Sequence, residues 1–402
     1  MLTGIQTLDA FELENQRVFL RTHLDVPVSK AGKVEDDAPI ERLIQTIGEL
    51  EKRGARVIVA SRFRDPKGEQ PGLPNEKAPS IEPVLVRLAE LGKLEVHLPD
   101  SATSEALKKI IEGLRPGRVC CLPNLAGEDD TGPQADAFAH ALLPHIDLYV
   151  ADSLRPLAYS SATTTILPRL VDRRAAGPGL WAELSAFARL RSSIDSPRLL
   201  IWGGNSLKAR SDELLALLPN FHRVALVGVA ANTMVAALGG ALGATSFESD
   251  FLAGARTLAD KLGDKLVLPV DFAVGSDPRA QSSDIASASH VPEGKMALDL
   301  GPKSRELLTR EIERAGAVVW SGTVGFYRNP EFSVGTRTVI DALSASSAFT
   351  VVVGDDSVAS VRATRGDSPI SIDCISDGGK SALALLLDKK LPGLEALRGT
   401  LT

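Results

Sequence analysis

The chain has 402 residues, of which 44% are hydrophobic and 24% charged, and a formal net charge of −6. That length exceeds one ordinary core and predicts two domains, and the composition is that of a packed globular protein rather than a disordered or membrane one. The acidic balance, with only 4% aromatic residues, argues against nucleic-acid binding through a basic face or through base stacking.

In chain order, the opening MLTGIQTLDAFELENQ lacks the basic start and apolar stretch of a secretory signal. RVFLRTHLDV (17–26) reads as the first strand, and APIERLIQTIGELEKRG after it repeats its apolar residues at helical spacing. ARVIVAS (55–61) is the next strand and runs into ASRFRDPKG (60–68), where Arg62, Arg64, Asp65 and Lys67 surround a proline. Such a loop is either a solvated turn or an anion site at the carboxyl end of a strand, where open α/β sheets take their ligands. LEVHLP (94–99) precedes SEALKKIIEGL, a helix with Ser104 as its N-cap. In RVCCLPN (118–124), Cys120 and Cys121 point to opposite faces of a strand and cannot share a metal there. With Cys374 they read as buried thiols in a reducing cytoplasm. DLYVADS (147–153) completes the first set of strands.

The rhythm pauses between about 154 and 180, then resumes with the long helix GLWAELSAFARLRSSI. Six more strands are predicted: PRLLIWGG (197–204), RVALVGV (223–229), KLVLPVDFAV (265–274), AVVWSG (317–322), FTVVVGD (349–355) and ISIDCIS (370–376). Near-continuous apolar strands alternating with helices predict parallel sheets covered on both faces. The fold class is therefore α/β, with two doubly wound, Rossmann-like domains at 1–175 and 176–388 joined by a hinge helix. No run of eighteen apolar residues predicts a membrane span.

Three strand ends in the second domain suit a phosphate. WGGNSLKARSDELLALL is a glycine turn entering a helix, whose N-terminus favours an anion. VGDDSVASV puts Asp355 and Asp356 before a helix, where an acid either caps that helix or holds Mg²⁺ through a phosphate. SDGGKSALALLL offers backbone amides and Lys380, without the glycine spacing of a Walker A loop.

Together these segments resemble phosphoglycerate kinases nearly end to end. The stretches that carry the resemblance include RTHLDVPVSKAGKVEDD, ASRFRDPKG, LDLGPKS (298–304), VVWSGTVG (318–325), FTVVVGDDS (349–357) and KKLPGLEAL (389–397). The resemblance implies the phosphoglycerate kinase fold: an N-terminal domain for 3-phosphoglycerate, a C-terminal domain for ATP or ADP with Mg²⁺, and hinge closure between them. It also implies a monomer, and a final segment, 389–402, that returns to the N-terminal domain.

Residue by residue, the implied substrate site is largely replaced. An Asp and an Asn of the first strand motif become His23 and Asp25. A central arginine becomes Pro39, the opening loop's His and Arg become Arg62 and Asp65, and the arginine after the fourth strand becomes Ala126. The His-Arg-x-His run becomes Ala158, Tyr159, Ser160 and Ser161. A hydrogen bond to a charged group contributes about 1.5–3 kcal/mol, so four lost arginine contacts remove roughly 6–12 kcal/mol. Arg62 and Arg64, with Arg155, are candidates for a rebuilt anion site.

The implied nucleotide side is mixed. Two lysines become Ser206 and Arg210, with Lys208 between them, and the acid that meets the ribose becomes Arg328. Asn232, Gly378, Gly379 and Asp356, the metal-side acid, match, whereas Lys380 departs; Lys303 of LDLGPKS is as well explained by structure as by function. The expected function is a homologue that has lost phosphoryl transfer to 3-phosphoglycerate and acts as a binding or regulatory protein with residual nucleotide affinity. Its expected partners are a small anion, a nucleotide or another protein. The alternatives are a phosphotransferase with a different acceptor, and an active glycolytic enzyme with displaced catalytic residues.

Overall fold

The computed structural model describes residues 2–63, 78–115, 117–192, 195–364 and 370–398. The chain divides into two compact units, Met1–Ser185 with Lys390–Thr402, and Ala186–Lys389. The division falls inside the helix Pro178–Arg191, about ten residues beyond the 175/176 boundary read from the strand rhythm.

The first unit is built on β1 (Arg17–Arg21), β2 (Arg56–Ala60), β3 (Glu95–His97), β4 (Arg118–Cys121), β5 (Leu148–Ala151) and β6 (Arg174–Ala176). They form one parallel sheet in the order β3-β4-β2-β1-β5-β6. Both faces are covered, which is why β1, β2 and β5 are apolar on consecutive residues rather than alternate ones. The helix Ala38–Lys52 turns Ile40, Leu43, Ile47 and Leu50 inward, each at most 1% exposed. Burying each of these side chains contributes about 1.5–3 kcal/mol. Pro39 sits in that helix's first turn, where its missing N–H costs nothing. Ser104 caps its helix as predicted, its hydroxyl accepting from the amide of Leu107.

The segment read as a pause is part of this unit's core. It holds a 3₁₀ turn at Arg155–Ala158, a π-helical turn at Ala162–Ile166, the short helix Leu167–Leu170, and β6. Three consecutive threonines, Thr163 to Thr165, hid it from a reading based on apolar periodicity, yet all three are buried. Their polar groups are satisfied locally: Thr164 donates to the carbonyl of Tyr159 and Thr165 to that of Ser161.

The second unit holds β7 (Arg198–Trp202), β8 (Arg223–Leu226), β9 (Leu266–Val267), β10 (Asp271–Gly275), β11 (Asp284–Ser287), β12 (Met296–Leu300), β13 (Ala317–Ser321), β14 (Phe349–Val353) and β15 (Cys374–Ser376). Six of these make a parallel sheet in the order β15-β14-β13-β7-β8-β9, so the doubly wound α/β architecture is present in both units. The other three form an antiparallel sheet, β11-β10-β12, that the sequence reading did not anticipate. KLVLPVDFAV is not one strand. It breaks around Pro269, with β9 joining the large sheet and β10 the small one.

LDLGPKS owes its form to packing. Asp271 accepts from the amides of Lys303 and Ser304 and so caps the helix Pro302–Glu313. A Cβ on Gly301 would lie 2.4 Å from the Asp271 carboxyl carbon, so only glycine fits. All three cysteines are buried and free of disulfides. Among the described residues, no helix is long and apolar enough to cross a membrane.

Candidate functional site

In the first unit, the predicted substrate positions lie at the carboxyl ends of the strands and in the loops that follow them. His23 and Asp25 follow β1, half-buried and exposed respectively, and Pro39 is buried in its helix. Asn124 pins the start of the arginine loop, accepting from the amide of Phe63 and donating to its carbonyl. Ala126 follows in a short 3₁₀ turn and Tyr159 closes another, with Arg155 half-buried at its start. Arg64 and Asp65 lie outside the described residues.

Arg62 is directed at the protein rather than away from it. Its guanidinium lies 3.8 Å from Asp130, a carboxylate with no exposed surface. The other oxygen of Asp130 accepts from the amide of Thr163 at 2.9 Å, and the Thr163 hydroxyl accepts from Arg21 at 3.0 Å. Arg21 is 2% exposed, and burial lowers its pKa while Asp130 opposes that shift. Two arginines and one aspartate thus form an internal charge cluster. The sequence analysis did not single out Asp130, because nothing in GEDDTGPQ distinguishes the buried acid from its neighbours.

In the second unit, a cavity of about 360 Å³ opens at the carboxyl ends of the large sheet's strands. Thr323, Val324 and Gly325 after β13, Gly228 and Asn232 of the helix Gly228–Ala237, and Asp356 after β14 line it. So do β12 and Phe326, Tyr327 and Arg328, with the amide of Phe326 donating to the carbonyl of Leu298 at 2.8 Å. Phe272, Met296 and Val324 make much of the wall apolar, as the body of a bound heterocycle requires. Glycines set its shape. A Cβ on Gly203 would lie 2.3 Å from the carbonyl oxygen of Thr323, and one on Gly228 would lie 2.7 Å from the same atom.

Of the predicted nucleotide residues, Asn232, Arg328 and Asp356 meet in this cavity. Ser206 and Lys208 are engaged elsewhere: Ser206 donates to Glu248, whose carboxylate also accepts from the amides of Leu207 and Lys208. The Lys208 ammonium pairs with Asp250 at 2.6 Å. Arg210 stacks its guanidinium 3.7 Å from the Trp202 ring centroid and donates to Ser321 at 2.8 Å. Burial lowers its pKa, which Glu213 and Asp356 oppose. Gly378 and Gly379 precede the seven-residue helix Lys380–Leu386, with Gly379 at φ 53°. Among the described residues, no three His, Cys, Asp or Glu side chains gather into a metal cage. A Mg²⁺ ion carried by a nucleotide needs only one carboxylate besides the phosphates and water, and exposed Asp356 fits that role.

The match to known proteins covers the whole arrangement. The family model described as phosphoglycerate kinase matches residues 8–389. This chain belongs to the phosphoglycerate kinase family. The phosphoglycerate kinase of Frankia casuarinae is 34% identical over 407 residues, covering 98% of this chain and 100% of that protein. That of Anaeromyxobacter dehalogenans is 31% identical over 398 residues, with coverage of 98% and 99%. Among solved structures, phosphoglycerate kinase from Coxiella burnetii superposes with a TM-score of 0.80 at 25% identity, and covers 98% of both chains. The Pyrococcus horikoshii enzyme, at 24% identity and TM-score 0.82 over 98% of both chains, shares the fold.

Proposed function

We propose that this member of the family no longer transfers a phosphoryl group to 3-phosphoglycerate and serves as a binding protein whose second unit holds an adenine nucleotide with Mg²⁺. The observation that carries this reading is the pairing of Arg62 with fully buried Asp130. At the strand ends that face a polyanionic substrate in this family, an internal carboxylate already answers Arg62, and neighbouring positions are Pro39, Ala126 and Tyr159. Phosphoryl transfer relies on cations that neutralise charge developing on the moving group, and these replacements supply none. The 360 Å³ cavity with Asn232 and Asp356 supports retained nucleotide binding.

Isothermal titration with MgADP, MgATP and 3-phosphoglycerate separately, followed by a coupled turnover assay on the same sample, tests the reading. Heat with a magnesium nucleotide, none with 3-phosphoglycerate and no turnover is the expected result. Turnover above the background of the coupling enzymes overturns it.

A further inference from the structure

Three separate segments of the second unit reach the 360 Å³ cavity at Asn205, at Gly228, Val229 and Asn232, and at Ser246. Asn205 and Ser246 are exposed loop residues, so their places depend on what holds their neighbours. Glu248 holds them. Its carboxylate accepts from the Ser206 hydroxyl and from the amides of Leu207 at 2.6 Å and Lys208 at 3.1 Å, the three residues that follow Asn205. Its own amide donates to the Thr233 hydroxyl at 3.1 Å, and that hydroxyl donates to the carbonyl of Val229 at 2.9 Å. Thr233 is fully buried in the helix Gly228–Ala237, so this end of the clasp is fixed to the core. Asn232 donates to the carbonyl of Ser246 at 3.3 Å, and Lys208 pairs with Asp250 at 2.6 Å, which ties the same segments twice more.

The physical consequence is a binding wall set before any ligand arrives. Hydrogen bonds to an ionised acceptor are stronger than neutral ones, and three from consecutive residues fix the backbone of the loop that carries Asn205. A wall ordered in advance spares the ligand the cost of ordering it. Glu248 itself does not line the cavity, so it acts only through the residues it holds. We propose that Glu248 is a positioning residue for ligand binding in this cavity, its carboxylate locking the Asn205 loop to the helix Gly228–Ala237. This rests on the nucleotide reading above and adds a residue that the reading does not use.

The test titrates MgADP into the full chain and its Glu248→Ala, Glu248→Gln and Arg223→Gln variants, at a temperature where circular dichroism shows every sample folded. Glu248→Ala should bind about tenfold or more weakly, and Glu248→Gln within about threefold of the parent. The glutamine still offers an oxygen to the amides of Leu207 and Lys208, and the Ser206 hydroxyl can accept from its NH₂ group. Arg223 begins β8 and pairs with Glu311 away from the cavity, so Arg223→Gln should lower the melting temperature and leave the affinity unchanged. Hydrogen exchange over 203–210 should quicken in Glu248→Ala and not in Glu248→Gln. Parent-like affinity in Glu248→Ala overturns the inference, as does an equal loss in Arg223→Gln, which would make the effect one of stability. Tighter binding in both Glu248 variants also overturns it, since the carboxylate would then act by repelling phosphate. Each of these leaves the nucleotide reading intact, whereas a parent chain silent to MgADP removes both.

Discussion

Asp152 and Asp299 solve the same local problem in the two units. Each accepts from an amide in the first turn of a helix: Gly179 donates to Asp152 at 2.9 Å, and Gly335 to Asp299 at 2.6 Å. Each is also wedged against glycines. A Cβ on Gly177 or on Gly335 would lie 2.3 Å from the facing carboxylate oxygen. Burial pushes Asp152 up to about 6 and Asp299 up to about 7, against the favourable pull of those amides. In the unfolded chain both titrate near 3.8, so folding takes up protons between that value and the raised one. Stability from these groups is therefore greatest at low pH and declines as pH rises to about 6 for Asp152 and about 7 for Asp299, by on the order of 3 and 4 kcal/mol respectively. Urea unfolding of Asp152→Asn and Asp299→Asn at intervals from pH 4.5 to 8 should give flatter profiles than the parent. Profiles parallel to the parent in both variants would show that burial does not hold these carboxyls protonated.

At the scale of elements, the π-helical turn Ala162–Ile166 is held by Asp130 from a neighbouring turn and by Tyr149 and Arg21 from the sheet. The Asp130 carbonyl accepts from the amide of Ala162 and its side chain from that of Thr163, while Tyr149 of β5 donates to the Thr163 carbonyl at 2.8 Å. Asp130→Asn keeps an acceptor for Thr163 but removes the charge that answers Arg21 and Arg62. Breaking a buried pair by deleting one partner costs about 3–5 kcal/mol, because the other charge stays buried. The expected loss is toward the lower figure, since Arg62 is 26% exposed, and Arg62→Met in the Asp130→Asn background should recover part of it. Guanidinium denaturation of the parent, Asp130→Asn, Arg62→Met and the double variant measures the coupling, and an Asp130→Asn variant as stable as its parent would refute it.

The same cluster shows where sequence reading stops. Strands such as RLLIW and FTVVV were legible because burial on both faces leaves an unbroken apolar signature, and Ser104 because a cap needs only its own helix. The antiparallel sheet was missed because DIAS has an exposed, polar pattern with only Ala286 buried. At the site, Asn232 and Arg328 were reached through the family resemblance, and Asp356 also through its strand–turn–helix context, and the three do converge on the cavity. Ser206 and Lys208 look available in sequence, and only the fold brings Glu248 and Asp250, some forty residues away, to engage them. Charge placed at long range is what local patterns do not encode.

For the whole molecule, the chain's course decides which part depends on which. Residues from Lys390 onward belong to the first unit, although the second is completed just before them. Leu391, Leu394 and Leu397 are 1–2% exposed, Arg174 donates to the carbonyl of Arg398, and a Cβ on Gly393 would lie 2.8 Å from the Cα of Leu157. Burial of three leucines contributes about 5–9 kcal/mol, an upper estimate, comparable to the entire stability of a small domain. A chain ending at Lys389 should therefore lose amide protection throughout 2–185 and keep it in 186–389. Hydrogen exchange read by mass spectrometry on full-length and truncated proteins resolves the two regions. Unchanged protection in the first region would mean that its sheet is stable without the returning helix, whereas loss in both would mean that the second unit cannot hold its fold once the first has opened.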